Sequence, residues 1–237
     1  MLDYFYTPPE FIKTDIITIG EDEFNHLVHV MRKKNGDLIM VVDGKGNAYE
    51  AIILDIHKKQ AEAKILKKHK NHNEPDIKLT LAVALLKNPS KYDFLVEKTV
   101  EIGVSEIIPI FTERTIPKHA KTERWQKLAI AAMKQCGRAF LPKITEPVNF
   151  NDLIANSGTS SEKIILHNNN SKYKSHTFNS LLTKKFKDSL ILIGPEGGFT
   201  DEEVEFAVNS GFQIVSLGTR RLRTETAAIV ASTILLY

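Results

Sequence analysis

The hydrophobic rhythm of the chain changes once, and the change divides it. Through residue 72, short apolar runs alternate with turn signals in "DIITI", the helix-like "EDEFNHLVHVMRKK" and "NGDLIMVVDGKGNAYEAIILDIHKKQAEAKIL". Asn35-Gly36 and the Asp43-Gly44-Lys45-Gly46-Asn47 stretch read as turns, and the runs between them have strand character. Residues 1–72 are therefore expected to form a small β-barrel with one helix. The polar "KKHKNHNEPD" that follows, with Pro75 near its end, reads as a linker. His69 and His72 fall inside it without the cysteine or carboxylate spacing of a metal site and are read as solvated.

After Asp76 strands alternate with helices. "IKLTLAVALL" reads as a fully buried strand, "SKYDFLVEKTVEIGV" as a helix ending at Gly103, and "SEIIPIFT" as a second strand. A basic helix in "KTERWQKLAIAAMKQCGRA" and a strand in "KIILHN" come next. "SLILIG" and "FQIVSLG" supply two more strands, and "TETAAIVASTILLY" a last helix with Thr224 as its expected cap. Such alternation predicts an α/β domain on a mainly parallel sheet over residues 73–237.

Composition narrows the class. At 237 residues, 42% hydrophobic and 26% charged, the chain has the make-up of a soluble globular protein with one large core and room for a satellite domain. No apolar run reaches membrane-spanning length, and "MLDYFYTPPEFIKTD" lacks a signal-type core, so a cytoplasmic location is expected. The single Cys136 excludes an internal disulfide and a cysteine-rich metal site. A net charge of +3 is modest, but its distribution is not even. Arg114 to Lys143 holds eight Lys/Arg against one acid, Glu123, and Lys163 to Lys187 holds six lysines and no acid. With Arg220, Arg221 and Arg223 these make three basic clusters in one half of the chain, the footprint of a polyanion partner.

The candidate chemistry lies in the same half. In "LILIGPEGGFTDEEVEFA" two glycines and a proline join a buried strand to a helix that Thr200 and Glu203 start as a capping box. Open α/β sheets bind ligands at the carboxyl ends of strands. Glycine there admits close approach of the backbone to a bound molecule. The loop lacks the Gly-Lys-Ser/Thr ending of a phosphate loop and carries Glu196 instead, which points to a neutral or cationic ligand. A second loop, "SLGTRRLRTETAA", sets three arginines before a helix start, an anion-binding arrangement. "LHNNN" after Leu166 is a third. Together they describe a pocket with a neutral side at Gly194, Gly197 and Gly198 and a cationic rim.

"LILIGPEGGFTDEE" paired with "SLGTRRLRTETAA" resembles the RsmE family of SPOUT-class ribosomal RNA methyltransferases, as do "HLVHVMRKKNGD", "EKTVEIGVSEIIPIFTERT" and "KQCGR" upstream. The resemblance covers nearly the whole chain. It implies a PUA-like RNA-binding β-barrel over residues 1–72, a trefoil-knotted SPOUT domain over 73–237, and a homodimer. It also implies S-adenosylmethionine as methyl donor, no metal, and N3 of a uridine in 16S small-subunit rRNA, free or in the assembled subunit, as acceptor. Two positions depart from the family pattern: Lys134, where many members carry Glu, and Arg221, where an aliphatic residue is common.

Carried onto this sequence, the cofactor set is Leu166, His167, Gly194, Pro195, Glu196, Gly197, Gly198, Leu217, Gly218, Leu222, Arg223, Thr226 and Ala227. Arg223 is the candidate to stabilise the uracil anion left when N3 loses its proton, and Glu225 the candidate to take that proton, with Glu196 as rival. Arg32, Lys33, Arg114, Arg138 and Arg220 are the candidate RNA contacts. Two other readings stand beside this one: a SPOUT enzyme methylating a ribose 2′-hydroxyl, and a ribosome-assembly factor that binds RNA without catalysis. "RLRTETAA", in place of an Asn- and Ser-rich helix start, favours base methylation.

Overall fold

The computed structural model describes residues 2–158, 162–168, 176–177 and 187–237. Its contacts divide the chain into two compact units: Met1–Glu74 with Ile130–Leu141, and Pro75–Ala129 with Pro142–Tyr237.

The first unit is built on six strands: β1 (Tyr4–Tyr6), β2 (Ile12–Lys13), β3 (Ile16–Gly20), β4 (Leu38–Val42), β5 (Asn47–Ile56) and β6 (Gln60–Lys70). They pair in the order β1-β4-β5-β6-β3-β2, antiparallel except for β1 on β4. Alternate residues Ile17 and Ile19, Ile39 and Val41, and Ala61 and Ala63 face a core shared with Phe5 and Leu27. The helical segment expected after β3 comprises α1 (Glu21–Asn25) and a π-helical turn over His26–Val30. The stretch read as a linker is corrected in part. Lys67–Lys70 continue β6 and pair with Asn47–Glu50 of β5, because a strand with one solvated face tolerates lysines and Lys68 lies over the Tyr49 ring at 5.2 Å. His69 and His72 are not simply solvated: His69 Nε2 lies 2.7 Å from Glu50 Oε1, and His72 Nε2 lies 2.8 Å from the Tyr4 hydroxyl.

The second unit carries the parallel sheet that the alternation predicts. Its strands are β7 (Lys78–Ala84), β8 (Glu106–Phe111), β9 (Lys143–Ile144), β10 (Val148–Asn149), β11 (Glu162–Leu166), β12 (His176–Thr177), β13 (Asp188–Ile193) and β14 (Gln213–Ser216). The order is β10-β8-β7-β13-β11-β14-β12, with β9 also on β8, and every pairing is parallel. Helices α2 (Pro89–Ile102), α3 (Thr122–Cys136), α4 (Phe150–Ala155), α5 (Asp201–Asn209) and α6 (Thr224–Leu236) complete the helix set, with the last turns of α3 counted in the first unit. Helix α2 stops at Gly103, whose φ of +123° suits glycine, and a β-carbon there would meet Pro75 Cγ at 2.6 Å. Ala228, Ala231 and Leu235 of α6 are buried, and α6 packs on α2, β7 and β13. No helix among the described residues is long and apolar enough to cross a membrane.

Candidate active site

Parallel register fixes where the three loops leave the sheet. Leu166 at the end of β11 pairs with Ile193 of β13 on one side and with Val215 of β14 on the other. These three residues form the floor of a cavity of about 840 Å³, and the chain continues upward from each. Its wall includes His167 and Asn168 from the first loop, Gly194 to Phe199 from the second, and Leu217, Thr219 and Arg221 to Thr224 from the third. Arg114 and Ala227 complete it. The remaining asparagines of "LHNNN", Asn169 and Asn170, lie outside the described residues.

The second loop is held at successive carbonyls. Gly194 O accepts from the Thr224 hydroxyl at 2.8 Å, Pro195 O from Gly198 N at 2.8 Å, Glu196 O from Arg221 Nη2 at 2.8 Å, and Gly197 O from Arg114 Nη1 at 2.8 Å. Arg114 also reaches Phe199 O at 3.3 Å. Glycine is required by this folding back: a β-carbon on Gly194 would stand 3.2 Å from Phe199 N and from Gly198 C, and Gly198 has φ +71°. Behind the loop, Glu203 completes the capping box with Thr200 and also accepts from Glu113 N at 2.9 Å. Glu202, in the same first turn, has its carboxyl held below the ordinary carboxylate range, chiefly by a backbone hydrogen bond and then by the Thr200 side chain.

The third loop is braced on its other side. Asn168 Nδ2 donates to Arg220 O at 2.9 Å, and the Ser216 hydroxyl donates to Gly218 O at 3.0 Å. Thr224 is not the cap of α6: Arg223 takes that position and Thr224 opens the helix, because its hydroxyl is turned to Gly194.

Of the expected cofactor residues, Leu166, His167, Gly194, Pro195, Glu196, Gly197, Gly198, Leu217, Leu222, Arg223 and Ala227 line the cavity together. Gly218 and Thr226 do not, and neither does Glu225, whose buried carboxylate lies 3.6 Å from Lys91 Nζ. Arg223 is exposed on the wall and makes no side-chain hydrogen bond or ion pair to another described residue. Arg114 belongs to this wall, where its guanidinium holds loop carbonyls. Arg221 also lines it. Arg221 had a signal, an arginine three residues after Gly218, whereas Arg114 lies 83 residues from Gly197 with no glycine beside it, and the carbonyls both meet are set by tertiary structure.

The remaining basic candidates belong to both units: Arg32, Lys33 and Arg138 to the first, Arg220 to the second. Arg32 is exposed at φ +52°, Lys33 pairs with Asp3 at 2.7 Å, and Arg220 is exposed. Arg138 is corrected: its side chain is 4% exposed and bound through Nε and Nη2 to Glu74, so it does not face a polyanion. Lys134 forms an ion pair with Glu23.

This geometry, loops converging at the carboxyl ends of adjacent parallel strands, is that of a small-molecule site in an α/β enzyme. A family model for the RNA methyltransferase domain matches residues 72–236, and one for the RNA methyltransferase PUA domain matches residues 19–66. The ribosomal RNA small subunit methyltransferase E of Buchnera aphidicola subsp. Acyrthosiphon pisum is 36% identical over 92% of this chain and 86% of its own. That of Bacillus subtilis is 28% identical over 98% and 93%. Among solved structures, ribosomal RNA small subunit methyltransferase E from Neisseria gonorrhoeae bound to S-adenosyl methionine superposes with a TM-score of 0.87 at 31% identity, covering 99% of this chain and 97% of that one. A putative methyltransferase of Legionella pneumophila in complex with S-adenosylmethionine gives 0.86 at 31%, with the same coverage. The chain belongs to the ribosomal RNA small subunit methyltransferase E family of RNA methyltransferases.

Proposed function

We propose that this protein methylates N3 of a uridine in 16S small-subunit ribosomal RNA, with S-adenosylmethionine as donor in the cavity above β11, β13 and β14. The observation that carries the reading is the pinned glycine loop. It offers backbone and a carboxylate, with no lysine among the described residues of the wall, to a ligand that has no phosphate and a positive sulfonium. The residues fit that group: the apolar floor of Leu166, Ile193 and Val215 and the side chains of Leu217 and Leu222 suit an adenine ring, and Glu196 suits a cation. Bound there, S-adenosylmethionine supplies an electrophilic methyl group.

The acceptor nitrogen of uridine must lose a proton, and negative charge then spreads onto O2 and O4. Arg223, exposed on the wall, would donate to those oxygens. Glu196 replaces Glu225 as our candidate proton acceptor, because it lines the cavity while the Glu225 carboxylate faces Lys91. Residues 1–72 would grip RNA, with Arg32 as a contact, and residues 73–237 would carry out transfer. Arg220 would bind the backbone near the site. The enzyme would act in the cytoplasm as a homodimer, on free rRNA or the assembled small subunit.

The test is methyl transfer from labelled S-adenosylmethionine to unmodified 16S rRNA and to small subunits, with mass mapping of the product. A methyl group on a ribose hydroxyl would select the 2′-O reading. Cofactor binding without transfer to either substrate would select the assembly-factor reading.

A further inference from the structure

Four successive carbonyls of the glycine loop are each held, and the four bonds differ in how readily they break. Gly198 N to Pro195 O is local to the turn, and Thr224 to Gly194 O comes from a buried residue at the start of α6. Arg114 to Gly197 O is exposed, but the stem of that side chain also packs on the glycine. Arg221 to Glu196 O joins two exposed residues on different loops of the cavity wall, and water can replace either partner without cost to the core.

We infer that Arg221 is a positioning residue that clamps the glycine loop against the arginine loop and slows release of S-adenosylmethionine. An aliphatic side chain at this position has no donor for the Glu196 carbonyl, so the clamp is a property of chains that carry arginine here. The bond also holds the backbone of Glu196, and with it the carboxylate we place near the reacting nitrogen. The inference rests on S-adenosylmethionine occupying this cavity, as proposed above.

Pulse-chase release of labelled S-adenosylmethionine tests it, in the intact protein and in Arg221→Ala and Arg221→Lys. Loss of one exposed, charge-assisted hydrogen bond corresponds to release about five- to tenfold faster in Arg221→Ala, with Arg221→Lys between that variant and the parent. Without ligand, amide exchange at Glu196 to Gly198 should quicken in Arg221→Ala while that in β13 does not. Unchanged release with weaker, less salt-dependent RNA binding makes Arg221 a phosphate contact and overturns the clamp. So does faster release that Arg221→Lys fails to rescue and that follows a lowered melting temperature. If Arg221→Ala does not fold, the lysine variant decides by the same readouts. A parent protein that binds no labelled cofactor refutes the cavity assignment itself, whereas normal binding with unaltered release in both variants refutes the clamp alone.

Discussion

Arg114 donates from Nη1 to the carbonyl oxygen of Gly197 at 2.8 Å, and the Cδ of the same side chain would lie 3.3 Å from a β-carbon placed on that glycine. One arginine thus acts on one residue twice, by a hydrogen bond and by close packing. The loop position and the missing side chain are a single constraint.

Gly197→Val should therefore displace Arg114 and free two carbonyls of the loop. A lost hydrogen bond to a charged donor is worth about 1.5–3 kcal/mol, so S-adenosylmethionine affinity should fall at least about tenfold. Gly197 itself is exposed, and the melting temperature should move by only a few degrees. Titration calorimetry beside a thermal scan reads both. Unchanged affinity with unchanged melting would remove this loop from the site.

Arg138 gives the opposite pattern. Its guanidinium is bound to Glu74 by Nε at 3.1 Å and Nη2 at 2.7 Å, and Glu74 Oε1 also accepts from Ala139 N and Phe140 N. Arg138→Ala leaves a largely buried carboxylate without its cation, which costs about 3–5 kcal/mol. Urea unfolding should show that loss. RNA affinity of the remaining folded protein should keep its salt slope, since no phosphate contact has gone; a flatter slope would restore Arg138 to the RNA surface.

Legibility in the sequence followed the range of the interactions. β7 and β13 were plain because they are continuous apolar runs buried on both faces, and the Thr200/Glu203 box and Gly103 marked helix ends by local chemistry. The two-residue strands β9 and β10 and the short α4 carry too few residues for any period to register. The end of β6 is hidden in the sequence because lysines resemble a linker when the pairing strand is unseen. The site divided in the same way. Glycines at strand ends announced a loop, but the partners of Thr224, Arg221 and Arg114 lie between 25 and 85 residues away and no local pattern marks them. Glu225 stands two residues from Arg223 in the sequence, yet its place in the first turn of α6 sets its carboxylate 3.6 Å from Lys91 Nζ.

His72 supplies a pH dependence. Burial, and then neighbouring His69, lower its pKa from the ordinary 6.5, against an opposing pull from Glu74. As pH falls below 6.5 the unfolded chain takes the proton first, while the folded unit still holds the ring neutral beside Tyr4. Stability from this group is thus complete above 6.5 and declines as pH falls from there to the depressed value. Urea midpoints at about pH 7.5 and about pH 5.5 should differ less in His72→Gln than in the parent, because the variant has lost that titration. An equal or larger difference would show that His72 is not responsible.

Arg223 separates catalysis from simple phosphate binding. It caps α6 with φ −70° and ψ 155°, lies on the cavity wall, and keeps its guanidinium free of hydrogen bonds to other described residues. A planar fork there can meet both the charge on a uracil carbonyl and its direction. If it stabilises the developing imide anion, Arg223→Lys should lower turnover by roughly two to three orders of magnitude, as lost oxyanion donors do, with little change in RNA affinity. If it grips only a phosphate, the lysine keeps the charge and turnover stays near normal, while Arg223→Ala weakens binding and flattens its salt dependence. Raising the pH should partly rescue the lysine variant, because more of the uridine is then already deprotonated and less depends on the arginine. Single-turnover rates of both variants across pH decide between the two roles: a loss that does not vary with pH, or no loss in the lysine variant, removes the anion-stabilising role.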